Sequence, residues 1–233
     1  MPVLPTPSAE PSARRGADAK LCLDFVNTVA WRNSGKPEER LPSAEALVEW
    51  CAKAGVLDAA GAAAAARNLS GSPDKASAVH LTALTFREAA YGLFRARVDG
   101  RPAPPADVQA LNAVIALMPQ RLALVPDRDG LGWRDATRPA TALDILAPLV
   151  WSAADLLSGP RAERVKQCED PKGCGWLFVD DSRTGTRRWC SMGDCGNRAK
   201  ARRHYHRARD EEVAGGGRAA RTEKPAGTKR AAR

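Results

Sequence analysis

Apolar residues recur at helical spacing through most of residues 21–157. In LCLDFVNTVAW (21–31), Leu21, Phe25, Thr28 and Val29 share one helical face, and Leu23, Val26 and Ala30 add a second apolar row. That pattern predicts a largely buried helix. SAEALVEWCAKAG (43–55) predicts a helix with Ser43 as N-cap, Leu47, Trp50 and Cys51 inward, and Gly55 as its stop. DAAGAAAAARNL (58–69) predicts a short Ala-rich helix capped by Asp58. Residues 74–99 carry a broad apolar face of Val79, Leu84, Phe86, Tyr91, Leu93, Phe94 and Val98. Pro104-Pro105 opens a further helix with Val108, Leu111, Val114, Ile115 and Met118 inward.

The period then changes. RLALVPDRDGLGWRDA (121–136) alternates in short runs about an Asp-Gly pair, which predicts a β-hairpin. TALDILAPLVWSAADLL (141–157) returns to helical spacing and is expected to bend near Pro148. Ser158-Gly159-Pro160 ends the pattern. The expected organisation is a Pro/Ser/Ala-rich disordered segment (1–17), a mostly helical domain with a small hairpin (18–158), a small cysteine-bearing module with a basic helix (161–210), and a disordered basic tail (211–233). The fold class is mostly α, with minor β structure.

Charge sharpens that division. In residues 1–160, 17 Lys/Arg are matched by 17 Asp/Glu, so the whole net charge of +9 falls in 161–233. A neutral body joined to a cationic module implies an anionic partner, most commonly nucleic acid. The N-terminal MPVLPTPSAEPSARRG lacks the apolar core of a secretory signal, and no run of about 18 apolar residues predicts a membrane span. The expectation is a cytoplasmic protein without membrane contact, where stable disulfides are rare.

The cysteines follow the same division. Cys22 and Cys51 sit singly on apolar patterns and are expected to be core thiols. Cys168, Cys174, Cys190 and Cys195 are spaced C-x5-C-x15-C-x4-C. Both pairs end in Cys-Gly, and a glycine there allows a positive φ that aims amide N–H groups at a thiolate. WLFV and RRWC flank Thr184-Gly185 and predict a two-stranded ribbon between the pairs. Two knuckles closing on one Zn²⁺ fit this arrangement, and four thiolates make such a site structural. An iron–sulfur cluster, two disulfides or unrelated thiols are the alternatives. Arg187, Arg188 and Arg198 lie near enough in sequence to offset the site's negative charge.

NRAKARRHYHRARD follows, with Asn197 as the expected N-cap of a helix. Arg198, Lys200, Arg202, Arg203, Arg207 and Arg209 appear before any acid, beside His204 and Tyr205. A solvated surface helix is the plain reading, but exposed helices usually intersperse Glu partners four residues away. Arg187, Arg188 and these helix residues form the candidate nucleic-acid surface, with DNA favoured over RNA. A finger that binds an acidic protein is a further alternative. Ala201, Tyr205 and Ala208 make a narrow apolar stripe suited to resting on the ribbon.

WLFVDDSRTGTRRWCSMGDCGNRAKARRHYHR resembles the CGNR zinc-finger family of bacterial proteins, whose namesake tetrad is Cys195-Gly196-Asn197-Arg198. LCLDFVNT resembles the start of the ABATE domain that precedes such fingers, although the customary glycine pair ahead of it is replaced by Arg15-Gly16-Ala17-Asp18. The resemblance implies a zinc-ribbon or treble-clef-like finger with zinc on the four cysteines. It also implies a nucleic-acid partner, in a family described as stress-induced transcription regulators and, earlier, as zinc-ribbon-like RNA-binding proteins.

Within the body, Asp24, Asn27 and Trp31 interrupt an apolar helix, together with Thr28. They are candidates for a small-molecule effector pocket, against the plainer reading of caps and tertiary hydrogen bonds. Trp50, Trp133 and Trp151 are expected to be core residues. No nucleophile–base pair and no Gly-rich phosphate loop is visible, so no enzyme activity is expected.

Overall fold

The computed structural model describes residues 20–120, 122–127, 130–135 and 141–219, and the chain divides into two compact units, one ending at Cys190 and the other beginning at Ser191. The expected disordered segment 1–17 lies outside the described residues, as does 220–233 of the expected tail.

The first unit is built on α1 (Leu21–Val26), α2 (Ala44–Lys53), α3 (Ala59–Ser70), α4 (Pro73–Val98), α5 (Pro105–Leu117) and α6 (Ala147–Ser158). Caps follow the sequence pattern. Ser43 Oγ accepts from Ala46 N–H at 3.3 Å, and Asp58 Oδ1 accepts from Gly61 N–H at 2.7 Å. Each satisfies a donor left open by the first helical turn. The long α4 lies against α1, α2, α3, α5 and α6, so it is the template of the body. Phe25 of α1 stacks on Phe86 of α4 at 5.5 Å and meets Trp50 of α2 edge-on at 5.3 Å. Leu146, Leu149, Val150 and Ala153 close the core from the other side. Cys22 and Cys51 are fully enclosed, and burial pushes both thiols up to about 12, as expected of core cysteines.

Three elements differ from the sequence pattern. The first helix ends at Val26 instead of continuing to Trp31, because Thr28 N–H and Oγ–H both return to Phe25 O. The chain then forms β1 (Val29–Ala30), antiparallel to β2 (Glu38–Glu39). The bend expected near Pro148 falls earlier. A 3₁₀ turn, Ala142–Leu146, hands over to α6, which places Pro148 in the first helical turn where no N–H bond is lost. The hairpin forms as expected from β3 (Leu122–Asp127) and β4 (Gly130–Asp135), with Asp127 opposite Gly130.

The third difference concerns the ribbon. LFV becomes β6 (Leu177–Val179), but its partner is β5 (Val165–Gln167), with Val165 opposite Val179 and Gln167 opposite Leu177. RRWC is not a strand. The reason is Asp180, buried at 1% exposure, whose carboxylate accepts from Ser182 N–H, Ser182 Oγ–H, Arg187 N–H and Lys166 Nζ. These bonds curl residues 180–187 into a closed loop and keep it from pairing as a strand. Lys166 and Ser182, and the two amides, hold the Asp180 carboxyl well below its ordinary range.

The first unit therefore runs past the Ser158-Gly159-Pro160 break. Leu177 and Val179 belong to the same apolar core as α1 and α4. Asn27 fastens them: its Nδ2 donates to Leu177 O at 2.8 Å and its Oδ1 accepts from Leu177 N–H at 2.9 Å. Asn27→Ala leaves a buried N–H and C=O unpaired and should cost about 2 kcal/mol, read as a lower urea midpoint with an unchanged slope.

In the second unit a π-type turn, Met192–Gly196, runs directly into α7 (Asn197–Ala219). Asn197 has helical backbone angles, and its Nδ2 donates to Gly193 O at 3.0 Å. It is therefore an interior residue, not the expected N-cap, because the helical path has already begun at Met192. The backbone of 211–219 is helical where a tail was expected, since each residue added to a nucleated helix gains one hydrogen bond.

Candidate metal centre

The β5–β6 hairpin carries the first cysteine pair at its turn. Cys168 follows β5, and its N–H donates to Trp176 O at 2.8 Å, which extends the ladder by one step. The turn is closed by Gly173 N–H to Asp170 O at 2.9 Å and Lys172 N–H to Asp170 Oδ1 at 3.1 Å. Gly175 takes the positive φ expected after the second cysteine, +70°. Gly196 does not. It sits buried inside the π-type turn, whose helical path needs no positive φ.

The sulfurs of Cys168, Cys174, Cys190 and Cys195 all lie within 4.8 Å of one another. Cys174 and Cys190 Sγ are 3.8 Å apart. Tetrahedral zinc with bonds of about 2.3 Å places its sulfurs about 3.8 Å apart, so the spacing fits one ion. A disulfide needs about 2.05 Å, and all six cysteines are free. A multi-iron cluster needs room between the sulfurs for several metal and sulfide atoms, which this spacing denies. The donor set is that of one structural Zn²⁺, with four protein ligands and no position left for water.

The thiols also display the charge problem that the ion solves. S–H groups of Cys174 and Cys190 donate toward Cys168, which draws Cys168 far down from its ordinary value. The same negative sulfur pushes Cys174 and Cys190 up. Four thiolates around one Zn²⁺ carry a net charge of −2. Arg198 Nη2 donates to Cys195 Sγ at 2.8 Å and is further fixed by a bond to Asp194. Arg187 donates to the carbonyls of Trp189 and Cys190 and lies 4.7 Å over the Phe178 ring. Arg188 pairs with Glu169 at 2.6 Å.

These contacts sort the predicted cationic residues. Arg187 and Arg198 are held within the finger, and Arg188 is paired although exposed. Lys200, Arg202, Arg203, His204, Tyr205, Arg207 and Arg209 are exposed on α7. Ala201 is exposed as well and Tyr205 is 63% exposed, so these two do not form the covered stripe expected of them. The side chains of Asp24, Asn27 and Trp31 take separate roles. Asp24 is exposed, Asn27 is bound to Leu177, and Trp31 begins a loop with φ +57°. A small apolar cavity of about 170 Å³ lies elsewhere, where Leu57, Ala64 and Ala65 face Ile145 and Pro148.

Asp180, Gln167 and Asn33 are residues that the sequence reading did not single out. Only the Asp180-Asp181-Ser182 string carries a local signal, an acidic turn former ahead of a hydroxyl. Among the described residues, no helix is long and apolar enough to cross a membrane.

Two known families match successive parts of the chain, dividing it between residues 160 and 164. The ABATE family model, described as "Putative stress-induced transcription regulator", matches residues 19–160. The CGNR zinc finger matches residues 164–208, which contain all four cysteines and most of the basic helix. No curated protein matches the chain.

Proposed function

From the premise that this chain belongs to the ABATE family and carries a CGNR zinc finger, we propose that this zinc-binding regulatory protein acts by docking α7 on duplex DNA. The observation that carries the reading is the run of exposed cations Lys200, Arg202, Arg203, Arg207 and Arg209, with no acid between them. Lys and Arg contacts to phosphate supply affinity and register, and Arg can also read guanine in the major groove. The major groove of B-DNA admits an α-helix, whereas that of A-form RNA is too deep and narrow. That difference favours duplex DNA for a helical basic surface. Regulation of transcription follows from DNA docking together with the family's description, and the helical body is assigned the signal-receiving or associating role. A cytoplasmic setting suits free thiols and a zinc–thiolate site. No catalytic step is assigned, because a four-thiolate site offers no open coordination position.

RNA is the second reading, favoured by the exposed ring of Tyr205, which is suited to stacking on an unpaired base. The test is a titration of the zinc-loaded full chain with duplex DNA, hairpin RNA and single-stranded RNA across a range of salt. Five phosphate contacts predict a slope of about −4.5 in log K against log salt on duplex DNA. Replacing both Arg202 and Arg203 with Ala should make that slope shallower by about 2. Tighter binding to RNA would transfer the proposal to the second reading. Binding to neither nucleic acid at low salt would overturn both.

A further inference from the structure

We propose that the loop of residues 31–36 is the outer wall of the zinc site, so that zinc affinity and the order of this part of the body are linked. The inference concerns the metal site alone and stands or falls independently of what α7 binds.

The loop and the first knuckle meet backbone to backbone. Asn33 N–H donates to Gly173 O at 3.2 Å. Gly173 has φ +88°, and a Cβ there would lie 2.6 Å from both the carbonyl carbon of Asn33 and the nitrogen of Ser34. At Gly175 a Cβ would come within 3.1 Å of Arg32 Cβ. The two residues flanking Cys174 thus let the loop approach with no side chain between them. Glycine is required at Gly173 for space and favoured at both for backbone angle.

The loop is held in an uncommon conformation to do this. Trp31 is the only non-glycine residue with positive φ among the described residues. Ser34 returns both its N–H, at 3.0 Å, and its Oγ–H, at 2.8 Å, to Trp31 O. Strain of this kind persists only where surrounding contacts fix it.

A second route reaches the other ligand of the hairpin. Arg32 pairs with Glu88 at 2.7 and 3.0 Å and lies 4.1 Å over the ring of Tyr91. Tyr91 Oη accepts from Gln167 Nε2 at 3.1 Å, and Gln167 Nε2 also donates to Gly175 O at 3.0 Å. Arg95 donates to Gln167 Oε1. Gln167 immediately precedes Cys168. Glu88, Tyr91 and Arg95 are spaced i, i+3, i+7, so one face of α4 fixes both the loop and the strand that delivers the ligand. Residues that position ligands without touching the metal commonly change affinity 10- to 100-fold. By linkage, whatever zinc gains from the loop, the loop gains from zinc.

Asn33→Pro in the full chain tests this, because it removes the amide N–H while leaving every cysteine and every finger residue intact. Zinc affinity is measured by competition with a colorimetric chelator, with far-UV circular dichroism as the fold control. The expected result is zinc binding weakened by about tenfold or more with helix content retained. Unchanged affinity in the folded variant overturns the proposal. Hydrogen exchange of the unsubstituted protein with and without zinc gives a second, variant-free reading, and it decides alone if Asn33→Pro fails to fold. Amides 32–36 should gain protection with zinc together with 168–175. Protection confined to 168–196 overturns the linkage.

Discussion

Cys190→Ser strips the protein of its zinc and unfolds the finger. Cys190 supplies one of four sulfurs that lie within 4.8 Å of one another, and three thiolates leave a structural zinc incomplete. The strands that frame the site are three residues each, too short to hold a fold by themselves. Structural zinc contributes an apparent ~10–16 kcal/mol in zinc-finger peptides, as much as the whole net stability of a typical domain. Metal analysis should therefore find one zinc per unsubstituted chain and far less in the variant, together with a lower melting temperature. The loss should extend into the body, because Leu177 and Val179 are part of its core and are tied to α1 through Asn27. A variant that retains a full equivalent of zinc would overturn the four-cysteine assignment.

Arg87→Ala should destabilise the body by about 3 kcal/mol, at the lower end of the cost of breaking a buried ion pair. The Arg87 side chain is 4% exposed and is bound on every side. Its Nη atoms reach Glu39 at 2.6 and 2.7 Å, Nε reaches Glu88 at 2.9 Å, and Nη1 donates to Thr28 Oγ1 at 3.1 Å. Removing the guanidinium leaves Glu39 without its cationic partner and with only the Leu41 N–H at 2.7 Å, while Glu88 keeps Arg32. Both carboxylates are partly open to water, which is why the lower figure applies. The same contacts set a pH dependence. Burial alone would raise Glu39 and Glu88, but Arg87 and the Leu41 N–H at Glu39, and Arg32 followed by Arg87 at Glu88, outweigh it and hold both below their ordinary 4.5. A depressed carboxylate stabilises the fold fully above its unfolded value of about 4.5, and that contribution is lost as pH falls through the folded value. Urea melts at pH 7 and pH 4 should show the unsubstituted protein losing stability on the acid side. Arg87→Ala should lose less over that interval. Equal acid sensitivity would place the titration elsewhere.

The residues that were readable in sequence share a property: their signal is local. Ser43 and Asp58 cap helices because each sits one step before an apolar period, and the Asp129-Gly130 pair between alternating runs marks the hairpin of β3 and β4. The four cysteines were readable for a chemical reason, since two pairs of thiols in turn-rich loops form a metal-ligand pattern. Where the reading of 21–31 as a single helix failed, the missing information was distant. Val29 is apolar at helical spacing, but it pairs with Glu39, and Asn27 answers to Leu177, 150 residues away. RRWC looked like a strand because Arg, Trp and Cys tolerate one. Asp180 turns the chain instead, and a buried carboxylate with four donors outweighs weak strand propensity.

The sequence by itself determined the helical body, the hairpin, the four metal ligands and the segregation of charge into the last third of the chain. Periodicity, turn chemistry and ligand type are properties of neighbouring residues, and they survive without knowledge of the fold. Only the tertiary structure decided which cations are spent inside the finger, as Arg187 and Arg198 are, and which stay exposed, as Lys200 and Arg202 are. It alone brought Asn33 against Gly173, and Gln167 between Tyr91 and Gly175. A guanidinium or a carboxamide takes the partner that folding places within about 3 Å of it. For these residues that partner comes from a different helix or strand, at a distance along the chain that no local pattern encodes.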